Sequence, residues 1–289
     1  MSLRFLVLGG SGQLGRYLCR FFSEAGHVVQ APSEQACNLF QPLDTKLFAG
    51  GFDVLVNCAA YTQVDEAESH GADAHHLNAV VPEKLAEIAK AQGAIFVHVS
   101  TDYVFSGDAK RPYTEDDPPR PLNIYGRTKL EGEMAVQAVG GKYYLARTSG
   151  LYGPGGAAGK GGHCMVDFIL NTARQGKPLR LVQDQWSSPT YVGHFTQVIA
   201  QLIDLRAPFG CYHAVNEGVC TWMEFGQEAL RQAGIQYPIE AVSSEVFAAR
   251  PAQRPRYSAM ANKKLNGFGI RVPGWKEGIK DYLKSLTPP

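Results

Sequence analysis

The stretch "RFLVLGGSGQLGRYL", residues 4–18, decides the fold. Its first part is continuously apolar rather than alternating, as expected of a strand buried on both faces. Gly9, Gly12 and Gly15 follow at G-x-x-G-x-x-G spacing. Leu14, Leu18, Phe21 and Phe22 then recur at helical spacing, and Gly26 can close the helix. Strand, glycine turn and helix in that order supply the context that a dinucleotide fingerprint requires. Glycine allows the tight turn and lets the backbone approach a pyrophosphate, which then lies at the positive end of the helix. The residues expected at the cofactor here are Gly9, Ser11, Gly12, Gln13, Leu14 and Gly15.

Outward from this stretch, apolar runs of strand length alternate with longer amphipathic segments, the pattern of parallel strands with crossover helices. "HVVQA", "FDVLVNCAA", "AIFVHVSTDYVF" and "YYLARTSGLYG" read as strands, and "NAVVPEKLAEIAKAQG" as a helix with Leu85, Ile88 and Ala89 on one face. The expected fold is α/β, a Rossmann-type doubly wound parallel sheet with a smaller C-terminal substrate lobe. Residues 1–150, with roughly 186–216, should form the dinucleotide-binding domain. The lobe then takes roughly 151–185 and 217–289. "GPGGAAGKGGH" (residues 153–163) reads as a flexible surface loop, "MVDFILNTARQG" as a helix and "PLRLVQDQ" as a strand. No repeat of fixed period occurs.

An acidic residue about 20 positions beyond the glycines usually holds a ribose 2′-hydroxyl. "VVQAPSE" offers Gln30 and Ser33 instead, so NAD and NADP both stay open, with Asn38 the nearest polar group for the adenosine end.

Composition narrows the function classes. Charged residues make up 19%, hydrophobic residues 45% and the net charge is +1, which is ordinary globular usage. That balance gives no electrostatic case for nucleic acid or an anionic membrane surface. No apolar run approaches the roughly 18 residues of a membrane span, and the N-terminal run breaks into glycines too early for a secretory signal. A cytoplasmic protein is expected, with neither nucleic acid nor membrane as partner. The six cysteines are scattered without a C-x-x-C pair, and His163-Cys164 lacks further ligands at metal spacing, so reduced thiols and no metal are expected.

"NIYGRTKLEGE" (residues 123–133) places Tyr125 and Lys129 four apart on one helix face. An ammonium near a phenol favours phenolate and lowers a pKa of about 10, which makes tyrosine a usable proton donor to a carbonyl. Gly126 and Gly132 each cost this helix about 1 kcal/mol relative to alanine, so a cofactor or a neighbouring helix should pack closely against its backbone. Upstream, Ser100 and Thr101 in "VHVSTDYVF" leave a strand at the end where ligands bind in open α/β sheets. A hydroxyl there can share the carbonyl oxygen with Tyr125, which gives a reductase site of Thr101, Tyr125 and Lys129.

Together, "GGSGQLG", "DVLVNCAAYTQVDEAE", "STDYVFSG", "IYGRTKLEGE", "RTSGLYG", "DQWSSPTY" and "RPRYS" resemble the extended short-chain dehydrogenases/reductases, and within them the dTDP-4-dehydrorhamnose reductase family, from Gly9 to about Leu265. The resemblance implies hydride transfer from a nicotinamide to the C4 carbonyl of a dTDP-linked 4-keto-6-deoxy sugar. Tyr125 would protonate the oxygen, Thr101 steady it, and Lys129 tune Tyr125 and grip the nicotinamide ribose. Ala59, Ala60 and Tyr61 match a strand-end loop against the cofactor, and Asn38, Leu39 and Ser100 are further expected cofactor contacts. Thr62, Val64, Asp102 and Tyr103 match positions near the sugar nucleotide, and Arg254 a basic residue near the diphosphate. A homodimer is left open as the assembly.

Two positions depart from the family pattern. Gly150 stands where many such reductases carry a tryptophan beside the sugar, with Trp186 a candidate substitute, and Tyr17 replaces an acidic residue that some members use for magnesium. No metal is carried over. Two rival readings use the same fold: a nucleotide-sugar epimerase or dehydratase, and a non-catalytic dinucleotide-binding regulator resembling the regulatory subunit of methionine adenosyltransferase. Intact Thr101, Tyr125 and Lys129 count against the regulator. Dehydratases usually add acidic residues after the threonine, and no glutamate follows Asp102.

Overall fold

The computed structural model describes residues 2–44, 46–156 and 163–286. Five strands come first: β1 (Arg4–Leu8), β2 (Val28–Gln30), β3 (Val54–Asn57), β4 (Ile95–Thr101) and β5 (Tyr143–Thr148). The chain then leaves the sheet for β6 (Arg180–Val182) and β7 (Trp186–Ser187), returns with β8 (Gly210–His213), and finishes with β9 (Cys220–Thr221) and β10 (Glu240–Val242). A sheet of six parallel strands runs β2-β1-β3-β4-β5-β8, while β10 pairs with β6 and β7 with β9. Because β2 and β3 lie on opposite sides of β1, the order reverses between β1 and β3. That switch point is where an open α/β sheet leaves a crevice for ligand.

Helices cover both faces of the sheet. They are α1 (Gln13–Glu24), the short α2 (Lys46–Ala49), α3 (Gly71–His75), α4 (Val81–Ala91), α5 (Ile124–Val139), α6 (Met165–Arg174), α7 (Val192–Asp204), α8 (Trp222–Gln232), α9 (Lys263–Gly267) and α10 (Trp275–Leu286). Phe5 and Val7 of β1 join Leu18 and Phe22 of α1 and Phe195 and Ile199 of α7 in one core, which continues into the lobe through Ile169 and Phe225. Leu6 and Leu8, on the opposite face, pack with Leu85 and Ala89 of α4 and Val136 of α5. This double burial explains the unbroken apolar run of β1. No helix among the described residues is long and apolar enough to cross a membrane.

The helix expected from Asn78 begins earlier. α3 and α4 are joined by the π-helical stretch His76–Val80, so helical structure runs from Gly71 to Ala91. Pro82 accounts for the widened turn: it has no N–H for the carbonyl of Asn78 four residues back, and its ring crowds that carbonyl.

Candidate active site

The glycine turn has the geometry that an anion cradle needs. Gly9 is left-handed (φ 75°), and a Cβ on it would lie 2.7 Å from the backbone nitrogen of Ala59. At Gly15 a Cβ would overlap the carbonyl oxygen of Gly9. Gly12 caps α1 without a side-chain hydrogen bond, so the first amides of the helix keep their capacity for an anion. These features fit a dinucleotide pyrophosphate at the switch point, with Ala59, Ala60 and Tyr61 on the neighbouring strand end. Tyr61 is fixed by buried Asn78, whose Oδ1 accepts its N–H at 2.9 Å and whose Nδ2 donates to its carbonyl at 3.2 Å.

Some expected cofactor contacts are turned elsewhere. Leu14 is buried in the core, and Gln13 Nε2 donates to the Gly153 carbonyl at 2.9 Å. Arg16 donates to the carbonyls of Ser11 and, at 2.8 Å, Gly155. Residues 153–156, expected to be flexible, are therefore tied to the glycine turn; residues 157–162 of that loop lie outside the described residues. Asn38 sits in an exposed turn and accepts the Phe40 N–H at 3.0 Å, while the Leu39 carbonyl meets His76 Nε2 at 2.8 Å.

Thr101 ends β4 in an extended conformation, and its hydroxyl accepts the Tyr103 N–H at 3.2 Å. The same hydroxyl faces the phenol of Tyr125 closely enough to influence its ionisation. The rings of Tyr103 and Tyr125 meet edge to face with centroids 5.7 Å apart. Both glycines of α5 have their explanation here. A Cβ on Gly126 would overlap the Tyr103 carbonyl oxygen, and one on Gly132 the Asn78 carbonyl oxygen, to which Pro82 has no N–H to donate. Asn123 caps the helix, accepting the Gly126 N–H at 2.8 Å and donating to the Gln253 carbonyl at 2.7 Å.

The expected lowering of the Tyr125 pKa is not found. Burial pushes it up to about 12, the Thr101 hydroxyl lowers it only in part, and nearby Asp102 adds to the rise. Lys129 is 2% exposed and turned toward β4: Nζ donates to the Val99 carbonyl at 2.7 Å and lies 3.4 Å from His98 Nε2. Burial lowers its own pKa to about 8, against the pull of Glu133 and Cys58.

Ser100 and Asp102 also face inward. Ser100 donates to Glu133 Oε1 at 2.5 Å, and Glu133 forms a buried pair with Arg147 at 2.6 Å. Asp102, expected at the sugar, accepts from Thr101 at 3.2 Å, Ser149 at 2.9 Å and Ser258 at 2.5 Å. Burial raises its pKa to about 6 despite those three hydroxyls. It ties β4, the end of β5 and the C-terminal lobe together and is withdrawn from the cleft.

On the lobe side, Arg254 makes a forked pair with Asp65, both contacts 2.6 Å, and is hydrogen-bonded to Tyr103. It lines a cleft of about 680 Å³ with Arg250, Arg256, Ser106, Gln185 and Ser244. Thr62 is exposed and Val64 half-buried, just before Asp65. At Gly150 (φ 50°) a Cβ would lie 3.0 Å from the ring of Trp222, so that indole, rather than Trp186, fills the space beside the missing side chain. Trp186 instead pairs with Thr221 and rests on Tyr257 with ring centroids 6.4 Å apart. Tyr17 meets Tyr191 at 3.4 Å between hydroxyls, and the described residues hold no cluster of three or more His, Cys, Asp or Glu fit for a metal. Asn57, Asn78, His98 and Glu133 were not singled out from sequence. Pro82, four residues after Asn78, was the available signal for one of them.

Comparison with known proteins gives concordant findings. A family model described as the RmlD substrate binding domain matches residues 3–287. The chain is 34% identical over 289 residues to a dTDP-4-dehydrorhamnose reductase of Mycolicibacterium smegmatis, covering 99% of this chain and 87% of the relative. A crystal structure of a dTDP-4-dehydrorhamnose reductase from Clostridium acetobutylicum superposes with a TM-score of 0.90 at 36% identity, covering 98% of this chain and 99% of that one. Another, from Bacillus anthracis in complex with NADP, gives 0.91 at 31% identity, covering 99% and 100%.

Proposed function

Since the chain belongs to the dTDP-4-dehydrorhamnose reductase family of extended short-chain dehydrogenases/reductases, we propose that it reduces the C4 carbonyl of a dTDP-linked 4-keto-6-deoxy sugar with NADPH or NADH. dTDP-4-dehydrorhamnose is the expected substrate and dTDP-L-rhamnose the product. The bound nicotinamide supplies the hydride; the chain supplies position, charge and a proton. Gly9, Ser11, Gly12, Gly15 and the amides opening α1 hold the pyrophosphate, beside Ala59 to Tyr61, with Asn38 and Leu39 toward the adenosine end. Residues 1–150 with roughly 186–216 serve the dinucleotide, and the remaining lobe serves the sugar nucleotide.

The observation that carries this reading is the convergence of the Thr101 hydroxyl and the Tyr125 phenol at the carboxyl end of β4. A phenol with a pKa near 12 is protonated at neutral pH and stands ready to give its proton to the C4 oxygen. The Thr101 hydroxyl, which donates to Asp102 in the free site, turns its one proton to the same oxygen when substrate is bound, so alkoxide charge is shared as it develops. Lys129 backs Tyr125 and holds the nicotinamide ribose. Thr62, Val64 and Tyr103 border the sugar nucleotide, and Arg254 with its arginine neighbours matches the charge of a diphosphate. Asp102 keeps Thr101 in place from behind.

Tyr125→Phe tests the reading. It removes the proton donor and little binding surface, so kcat should fall by about 10²–10⁴-fold while dinucleotide affinity stays within about twofold. Cofactor oxidation with dTDP-4-dehydrorhamnose, and dinucleotide titration by fluorescence, measure the two quantities. Turnover equal to the parent's would refute the assignment.

A further inference from the structure

A buried polar chain runs from the cofactor loop to the site lysine. The Ala59 N–H donates to Asn57 Oδ1 at 3.1 Å, Asn57 Nδ2 meets His98 Nδ1 at 3.2 Å, and His98 Nε2 lies 3.4 Å from Lys129 Nζ. Asn57 and His98 are 0% exposed, so the roles of donor and acceptor are set by these neighbours and not by bulk solvent. A backbone N–H only donates, so the Asn57 atom beside Ala59 is the oxygen, and the amide nitrogen faces His98. That nitrogen offers hydrogens and no acceptor. Nδ1 of His98 must then accept, and the neutral ring carries its proton on Nε2. An imidazolium would set an Nδ1 proton against the Asn57 amide, and burial disfavours the charged ring as well.

We propose that Asn57 and His98 are positioning residues that direct an N–H at the Lys129 amine and so make Lys129 a group that gains and loses a proton, not a permanent cation. An ammonium has three donors and no acceptor. One donor is taken by the Val99 carbonyl at 2.7 Å, and toward His98 it meets another N–H. The free amine, with a lone pair, accepts that N–H. The remaining groups that act on the amine are Glu133 on its own helix and Cys58 just past β3. Glu133 favours the ammonium, but its carboxylate is already shared between Arg147 and Ser100. Burial works in the same direction as His98.

The inference rests on the reading of Lys129 as the partner of Tyr125. Once the phenol has given its proton to the substrate oxygen, an ammonium that parts readily with its own can restore it, directly or through a bound hydroxyl. The proton leaves Nζ and ends on the phenolate oxygen, and His98 keeps its proton throughout.

Nitrogen-15 correlation spectra of the full-length labelled protein read the His98 tautomer, and the Lys129 Cε shift reads its titration. His98 should stay neutral with Nε2–H between about pH 6 and 9, and Lys129 should titrate well below the ordinary value of about 10.4. An Nδ1–H or charged His98, or an ordinary Lys129 midpoint, would overturn the proposal. Asn57→Asp keeps an acceptor for Ala59 but also accepts from Nδ1, which frees the Nε2 lone pair for the ammonium. In that variant the tautomer should flip, and the Lys129 midpoint and the basic limb of kcat should rise by about one pH unit. A flip without the rise, or a rise without the flip, also overturns it. If Asn57→Asp does not fold, the parent spectra decide alone. A parent that binds dinucleotide but reduces no keto-sugar would refute the assigned function and leave the tautomer result standing.

Discussion

Asp102 shows at the scale of one residue how the site trades stability for order. Its carboxyl titrates near 6 when folded instead of 3.8, because burial penalises the charge more than three hydroxyls relieve it. A raised folded pKa means that the native state holds the proton more tightly. The contribution to stability is therefore full below about 3.8 and is lost as pH rises through about 6, a change on the order of 3 kcal/mol. Asp102→Asn has no charge to bury, so thermal unfolding across this range should show the variant gaining on the parent as pH rises; parallel curves would contradict the argument. Glu133→Gln should act oppositely, leaving the Arg147 guanidinium buried without its counter-charge and costing about 3–5 kcal/mol in denaturant titration. The placement of Thr101 at a strand end and of Tyr125 and Lys129 on one helix was legible in the sequence, because local spacing fixes it. The inward turn of Asp102 was not, since its partners Ser149 and Ser258 lie 47 and 156 residues away. Nor was the raised Tyr125 pKa, which depends on how much of the phenol its neighbours cover.

At the scale of elements, α5 is seated by two backbone contacts that no side chain could replace. Gly132→Ala should cost about 1–3 kcal/mol and reduce turnover, because a methyl must displace the backbone carbonyl of Asn78, the residue whose side chain braces Tyr61. Gly50→Ala, with nothing within 4 Å of its Cβ, is the matched control; equal unfolding midpoints for the two variants would argue against the contact. The lobe segment 252–258 is held to the sheet domain by Asn123, Asp65 and Asp102. Asp65→Ala should speed amide exchange there while leaving β4 protected. That the glycines mark a close approach was readable from their helix cost. What approaches them was not, because the π-helical turn and the Tyr103 turn meet α5 only in the folded chain.

Over the whole molecule, the sheet was legible where strands are buried on both faces, as in β1 and β3, whose apolar runs are unbroken. The two-residue strands β7 and β9 carry no periodicity, and their pairing depends on lobe packing. If the glycine turn holds the dinucleotide, NADPH at about 100 times its Kd should stabilise the fold by about 2.7 kcal/mol, seen as a rise in Tm. Gly15→Val, which fills the turn, should abolish that rise; an undiminished shift would place the ligand elsewhere. One further feature governs how two ligands must behave together. Gln13 and Arg16 grip carbonyls at Gly153 and Gly155, so a ligand seated on the glycine turn and one that displaces residues 153–155 would be linked through these bonds. Thermodynamic reciprocity then demands that whichever arrives first changes the other's affinity by one common factor, the same in either order of addition.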